Sequence, residues 1–208
     1  MATREVFARP QLVFFLVVGL LFMLVMGKVE LPLLLGMNPQ WEQKINAYRW
    51  CLHVHALAAT LALLAAPIQF FPGFRSRHLQ MHRVLGRLYA IAVAIAAPLA
   101  IYIALMHLAP AEKWPAVAQG CLWLGTTLAA VVTACKKQLI MHQIWITRSY
   151  ALTLTFIVTR MLVDVLKMDI NASFGGNANL IWVSSFMALV VADLLCISLQ
   201  PGRQLGAA

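Results

Sequence analysis

The sequence predicts an all-α, polytopic membrane helix bundle of six transmembrane helices, forming a single domain over residues 1–208. Three observations lead there. Of 208 residues, 62% are hydrophobic and only 11% charged, against roughly 45–50% apolar and 25% charged in soluble domains. Apolar runs of spanning length recur, separated by stretches where Pro, Gly or charge collects. The basic residues then gather on alternate connections, as the inner leaflet of a membrane imposes.

The first run, residues 11–27, follows the charged start MATREVFARP. It has the outline of a signal peptide, but no small-x-small cleavage site follows and further spans do, so it reads as the first crossing. The remaining runs cover residues 50–70, 84–107, 116–135, 143–165 and 178–199. Each is long enough to cross the hydrocarbon, some with tilt. None shows the two-residue alternation of a membrane barrel. Trp41, Trp50, Trp114, Trp123, Trp145 and Tyr150 suit an interfacial aromatic belt as well as stacking on a cofactor.

Six crossings put residues 1–10, 71–83, 136–142 and 200–208 on one side. With the bases just inside neighbouring helix ends, that side carries Arg4, Arg9, Arg75, Arg77, Arg83, Arg87, Lys136, Lys137, Arg148 and Arg203 against Glu5. On the other side Lys28, Lys44, Arg49, Lys113, Arg160 and Lys167 nearly cancel Glu30, Glu42, Glu112, Asp164 and Asp169. The bias places both termini in the cytoplasm and the chain in the cell's inner (plasma) membrane. It also accounts for the formal charge of +9 without a nucleic-acid partner. Cys51, Cys121, Cys135 and Cys196 form no Cys-x-x-Cys pair, so they are expected as buried apolar thiols.

Two stretches share a pattern, MHRVLGRLYA at 81–90 and MHQIWITRSYA at 141–151. Both open a span on the basic side, so His82 and His142 should lie at matched depth. Arg87 and Arg148 follow their histidines by five and six residues, and Tyr89 and Tyr150 come two further on. With the fainter echo of AATLA (58–62) in GTTLA (125–129), a duplicated two-helix unit would explain the pattern. Chance similarity in low-diversity apolar sequence is the alternative.

Six histidines are many for so apolar a chain, and an imidazole within a bilayer is costly enough to suggest function. His53, His55 and His107 fall near the less basic side; His78, His82 and His142 near the basic one. Imidazoles on facing helices suit bis-histidine haem ligation, with arginines for the propionates. His53 and His55 point about 200° apart on a helix, so at most one faces a shared site, and His55 is the deeper. His78 and His82 make an i, i+4 metal clip only if the helix begins before residue 78; Gly73 and the RSR run argue for a loop there. His82 and His107 are roughly 37 Å apart along one helix and cannot serve one site. The metal or cofactor candidates are therefore His55, His82 and His142, with Arg87, Arg148 and Arg160 as the cations. The plain alternative for each histidine is an interfacial side chain bonded to a loop carbonyl or a headgroup.

Two buried charges need partners. Arg160 and Asp164 can neutralise each other at i, i+4, or Arg160 can face inward to hold an anionic group such as a propionate. Asp193 lies about as far from the basic end of the sixth span as Arg148 lies from that end of the fifth, so the two are expected to pair.

Three ordered blocks, HVHALAATLALLAAPIQFF, RSRHLQMHRVLGRLY and HQIWITRSYALTLTFIVTR, together resemble the DUF2306 family of bacterial and fungal integral membrane proteins, over about residues 50–165. The family's pattern falls on His55, Pro67, Gln69 and Phe70, then on His82, Arg83, Gly86, Arg87 and Tyr89. It continues on His142, Trp145, Arg148, Ser149, Tyr150, Ala151 and Arg160, with Gln143 where the family usually has Arg. The resemblance implies a membrane protein and brings no established activity. At one remove the layout is similar to b561-type transmembrane cytochromes, which implies histidine-held b haems and electron exchange with a quinol or ascorbate. Those proteins draw a ligand from each of four helices, and the fourth span here has no histidine, so one haem or none is implied.

The expected function is thus membrane electron transfer, an oxidoreductase class, with haem b as cofactor and a quinone as mobile partner. The alternatives are a metal-binding or transport protein, and an accessory subunit of a membrane complex, or a homo-oligomer, with interfacial histidines. No nucleotide loop, Gly-x-Ser-x-Gly elbow or His-Glu-x-x-His stretch appears, and every connection is too short for a soluble catalytic domain. That excludes hydrolase and kinase chemistry.

Overall fold

The computed structural model describes residues 3–37, 43 and 45–198. Trp41, Glu42, Lys44 and Arg203, which enter the aromatic and charge expectations, lie outside them, as do both chain ends. Among the described residues all regular structure is helical. The long helices are α1 Thr3–Val25, α2 Arg49–Ala65, α3 Leu79–His107, α4 Pro110–Cys135, α5 Leu139–Arg160 and α6 Asn177–Ser198. Among the described residues four segments are long and apolar enough to cross a membrane: Asn46–Phe70, which is α2 with its flanking turns, α3, α4, and Asn177–Ile197 of α6. Helix α5 has 22 residues, roughly 33 Å at 1.5 Å per residue, but carries Arg148, Arg160 and a series of hydroxyls.

Helices α3, α4 and α5 begin at residues 79, 110 and 139, four to six residues before their apolar runs. A helix needs its backbone bonds, not apolar side chains, so polar first turns are helical too. Pro110 sits at the start of α4, where its missing N–H costs nothing and its fixed φ suits the first turn. The expected loop around Gly73 is instead a short helix, Pro72–Arg77, also opened by proline. His78 then breaks the chain at φ −130°, ψ 54° before α3 starts, so His78 and His82 do not share one continuous helix. Just beyond α4 the chain turns at Lys137, whose φ is 58°; the N–H of Gln138 bonds back to the Thr133 carbonyl at 2.9 Å, closing the C-terminus.

Two five-residue π-helical turns interrupt the regular geometry. Met26–Glu30 extends α1, and Met161–Val165 extends α5; the two turns pack against each other. Pro98 lies inside α3, tolerated where neighbouring helices take up the freed carbonyl.

Helix α2 packs on α3, α3 on α4, and α4 on α5, while α6 lies against α4 and α5. Small residues are buried where α2 meets α3: Ala58, Ala62 and Ala65 of α2 and Ala92, Ala96 and Ala97 of α3 belong to one core cluster. In lipid there is little hydrophobic drive between helices, so close backbone approach carries the association. The large side chains turn the other way. Leu16, Leu20 and Met23 of α1, Ile91 and Met106 of α3, and Phe186 and Leu194 of α6 are all well exposed, as a hydrocarbon surround requires. The cysteines overturn the expectation of buried thiols: Cys121 and Cys135 are exposed on α4, and Cys51 and Cys196 are half-buried. A thiol facing lipid is as far from water as one in a core.

Gly120 and Gly125 on α4 give a matched test. A Cβ on Gly120 would stand 2.7 Å from Ile101 Cγ1, whereas one on Gly125 meets nothing within 4 Å. Gly125→Ala is expected to stabilise by up to about 1 kcal/mol through helix propensity. Gly120→Ala should destabilise by about 1–2 kcal/mol as α3 and α4 are forced apart. Thermal unfolding in detergent measures both.

Candidate functional site

Polar groups gather at three levels of the bundle. The first is the end that carries the bases of the α2–α3 and α4–α5 connections. His82 lies in the first turn of α3 and His142 in the first turn of α5. The His142 ring is fixed by a hydrogen bond of 2.8 Å between Nδ1 and the Ala130 carbonyl of α4. A carbonyl only accepts, so Nδ1 carries the proton and Nε2 presents its lone pair. His82 lies within electrostatic reach of His142, with Arg75 and Arg83 nearby, and its Nδ1 is buried without a hydrogen-bond partner.

Among the predicted cations here, Arg87 is exposed. Arg148 is committed to Asp193, as their depths suggested: Nε donates to Oδ1 at 2.7 Å and Nη2 to Oδ2 at 3.1 Å. Its guanidinium also lies 4.7 Å from the Trp145 ring.

The second level is a lattice of side-chain hydroxyls at mid-bundle. Tyr89 Oη lies 2.6 Å from Ser149 Oγ and 3.0 Å from Thr153 Oγ1. Ser149 Oγ lies 2.6 Å from Thr127 Oγ1, and Trp123 Nε1 donates to Thr153 at 2.9 Å. These five residues, from α3, α4 and α5, are all buried. The sequence reading missed Ser149, Thr153 and Thr127 as a group. Their signal in the sequence is the i, i+4 hydroxyl pair Ser149 and Thr153 on α5.

The third level is a cavity of about 650 Å³ toward the opposite end, lined from α1, α2, α3, α4 and α5. Thr153 and Trp123 form part of its wall, so the hydroxyl lattice floors it. His55 enters it with Nδ1 bonded to the Ala96 carbonyl at 2.8 Å, again leaving Nε2 as the free lone pair. Ala96 is fourteen residues beyond His82 on α3, roughly 21 Å along the axis. His55 therefore belongs to a different site from His82 and His142. His53 lines the same cavity, which corrects the expectation that only one of His53 and His55 faces a shared site; the cavity wraps around the first turns of α2. His107 stacks on Tyr48 at 4.4 Å instead, and His78 packs beside Phe74.

An ionic cluster closes the cavity. Arg160 Nη1 donates to Asp164 Oδ2 at 3.1 Å, and Arg160 Nε lies 3.4 Å from Glu30 Oε1. Glu30 and Arg160 both line the cavity. Glu30 is only 5% exposed, although the sequence reading counted it as a boundary charge. Nothing in the sequence marks it, because it follows an apolar run as a flanking residue would. Among the described residues no group of three or more His, Cys, Asp or Glu is placed to hold a metal ion.

Substitutions at two positions probe the ion pair and the lattice. Asp193→Leu strands the Arg148 charge and should destabilise by about 3 kcal/mol, whereas Asp193→Asn keeps an acceptor and should cost about 1; equal losses would argue against the pair. Tyr89→Phe removes the proton shared by Ser149 and Thr153 and should cost about 2 kcal/mol without changing helix content. Chemical unfolding followed by circular dichroism reads all three.

No curated protein and no solved structure matches this chain. Residues 52–196 match the family described as predicted membrane protein, DUF2306. That stretch holds α3, α4 and α5 entire and most of α2 and α6, and with them both histidine levels, the hydroxyl lattice and the Arg148–Asp193 pair. This chain is a member of the DUF2306 family of predicted membrane proteins.

Proposed function

We propose that this protein transfers electrons within the membrane, with one haem b held between His82 and His142 and a quinone as its mobile partner. What supports the reading is the matched register of the two histidines on their helices. Each lies seven residues before a partner in the Tyr89–Ser149 contact, on helices that run in the same direction, so the register of that contact levels them. The donor set suits the group in two further respects. His142 has its tautomer fixed by the Ala130 carbonyl, the support that ligating histidines commonly have. Arg75 and Arg83, near His82, remain as the cations for carboxylate groups, while Arg148 and Arg160 are engaged by acids.

When bound, haem supplies a one-electron couple. The chain's own part is to orient the His142 ring, place the basic pair against the acidic groups, and exclude water with the apolar faces of α3 and α5. Two imidazoles alone satisfy a bare transition ion poorly, since such sites commonly take three or four protein ligands. A macrocycle that brings its own four nitrogens would need only two ligands from the protein, which His82 and His142 would supply. This favours haem over the metal-binding alternative. Transport has the cavity in its favour, but the lattice beneath it has its hydrogen bonds satisfied without water.

The same reading takes six crossings, both termini in the cytoplasm and the inner (plasma) membrane as location. The length of α5 and the neutralisation of Arg148 by Asp193 support a crossing by α5. The charge asymmetry between the connections supports the orientation.

Protein purified after haem-replete expression is expected to be red, with a Soret band that His142→Ala abolishes and Arg87→Ala leaves in place. A colourless preparation overturns the reading.

A further inference from the structure

The cavity above the hydroxyl lattice has two buried polar atoms with no hydrogen-bond partner on its lining side chains, Glu30 Oε1 and His53 Nε2. The Glu30 side chain is 7% exposed, and its contact with Arg160 Nε at 3.4 Å is an ion pair without hydrogen-bond geometry. A carboxylate oxygen sealed from water costs stability unless something donates to it. The rest of the lining is largely apolar, with the flat faces of Trp123 and Phe156 among it. Leu57 also lines the cavity and is 65% exposed. It lies eight residues into α2, roughly 12 Å from the helix start, so the cavity opens on the lipid-facing flank and not only at the end of the bundle.

We infer that this cavity is a binding site for a lipid-soluble hydroquinone, whose ring lies in the apolar part and whose hydroxyls meet Glu30 Oε1 and His53 Nε2. Three features select that class. Entry through the flank beside Leu57 requires a molecule that dissolves in hydrocarbon. An acceptor-only carboxylate oxygen requires a donor, which a hydroxyl has and a quinone carbonyl or an ether lacks. The two carboxylates Glu30 and Asp164 outnumber the Arg160 guanidinium, so the cluster disfavours an anionic head. The 650 Å³ available lies within the range that holds a ring of this size with the start of a chain. This site rests on the quinone half of the proposed function and adds which redox form is held and where.

The test uses the full-length protein in lipid nanodiscs, with tetramethylhydroquinone and its dimethyl ether as probes and empty nanodiscs as the blank, read by titration calorimetry. The hydroquinone is expected to bind at least about tenfold more tightly than the ether, the discrimination that a site built around a hydroxyl gives. Glu30→Met should erase that difference, and Ala116→Phe, which fills the cavity, should abolish binding of both probes. Equal affinity for the two probes in the unmodified protein overturns the inference without any variant needing to fold. Absence of saturable binding, or binding untouched by Ala116→Phe, overturns it as well. The Soret measurement on the same preparation separates the two proposals. A colourless protein that binds the hydroquinone keeps this site and ends the haem reading, while a red protein that ignores the probe does the reverse.

Discussion

Tyr89 has one proton to give, and the centre of the bundle is arranged around where it goes. Thr127 Oγ1 donates to the Trp123 carbonyl at 2.8 Å, and Thr153 Oγ1 donates to the Ser149 carbonyl at 3.1 Å. With both threonine protons so used, the Ser149 hydroxyl must donate to Thr127, and the Tyr89 proton is shared between Ser149 and Thr153. Trp123 Nε1 then donates to the remaining lone pair of Thr153. Every donor in the lattice is satisfied by protein alone, which hydrocarbon demands because no water is present to repair a missing bond. A single missing member leaves its neighbours orphaned, so the group acts as one unit.

That unit also fixes the geometry of everything above and below it. Helices α3 and α5 lie across the bundle from each other, with α4 packed against both, and the Tyr89 hydroxyl reaches across to set their relative height. His82 and His142 each precede a partner in that contact, Tyr89 and Ser149, by seven residues. The lattice also forms the floor of the cavity, where Trp123 and Thr153 face upward. Helix α4 contributes no imidazole to either level. It supplies the Ala130 carbonyl that orients His142 and the Thr127 hydroxyl that completes the lattice, which is a positioning role that a search for ligand residues passes over.

The sequence made the depth arguments legible because they need only counting along helices. Arg148 and Asp193 meet as equal distances from one end required, and Arg160 meets Asp164 one turn on. Where orientation about the helix axis mattered, counting was not enough. Tyr150 looks like the repeat of Tyr89, but the extra residue between His142 and Tyr150 turns it by about 100°. Its hydroxyl goes instead to the Leu63 carbonyl at 3.4 Å, and its ring packs beside Phe70 at 5.4 Å. Ser149 occupies the position equivalent to Tyr89. His53 was set aside by the same angular reasoning, which holds for a site on one side of a helix and fails for a cavity that wraps around its first turns. Glu30 reads as a charge flanking the first span, yet it is buried; its π-helical turn leaves no residue pattern to read.

The two π-turns explain how an ion cluster forms inside so apolar a bundle. A π-turn bonds each N–H five residues back, and in effect it inserts one residue into an α-helix, rotating the residues beyond it by roughly 100°. In Met26–Glu30 the closing bond runs from the Leu31 N–H to the Met26 carbonyl, and in Met161–Val165 from the Leu166 N–H to the Met161 carbonyl. Each helix therefore keeps its backbone bonds through the wide turn, and α1 carries Phe22, Met26 and Glu30 along the wall of the cavity. These three residues follow one another at intervals of four, and unwinding α1 there would expose unbonded amides at a cost of several kcal/mol each. Arg160 closes the regular part of α5 and Asp164 falls within its π-turn, so the guanidinium stands between the acid of its own helix and that of α1. The wide turns let two helices share one cation without breaking either, and the ion pairs in turn hold the turns together.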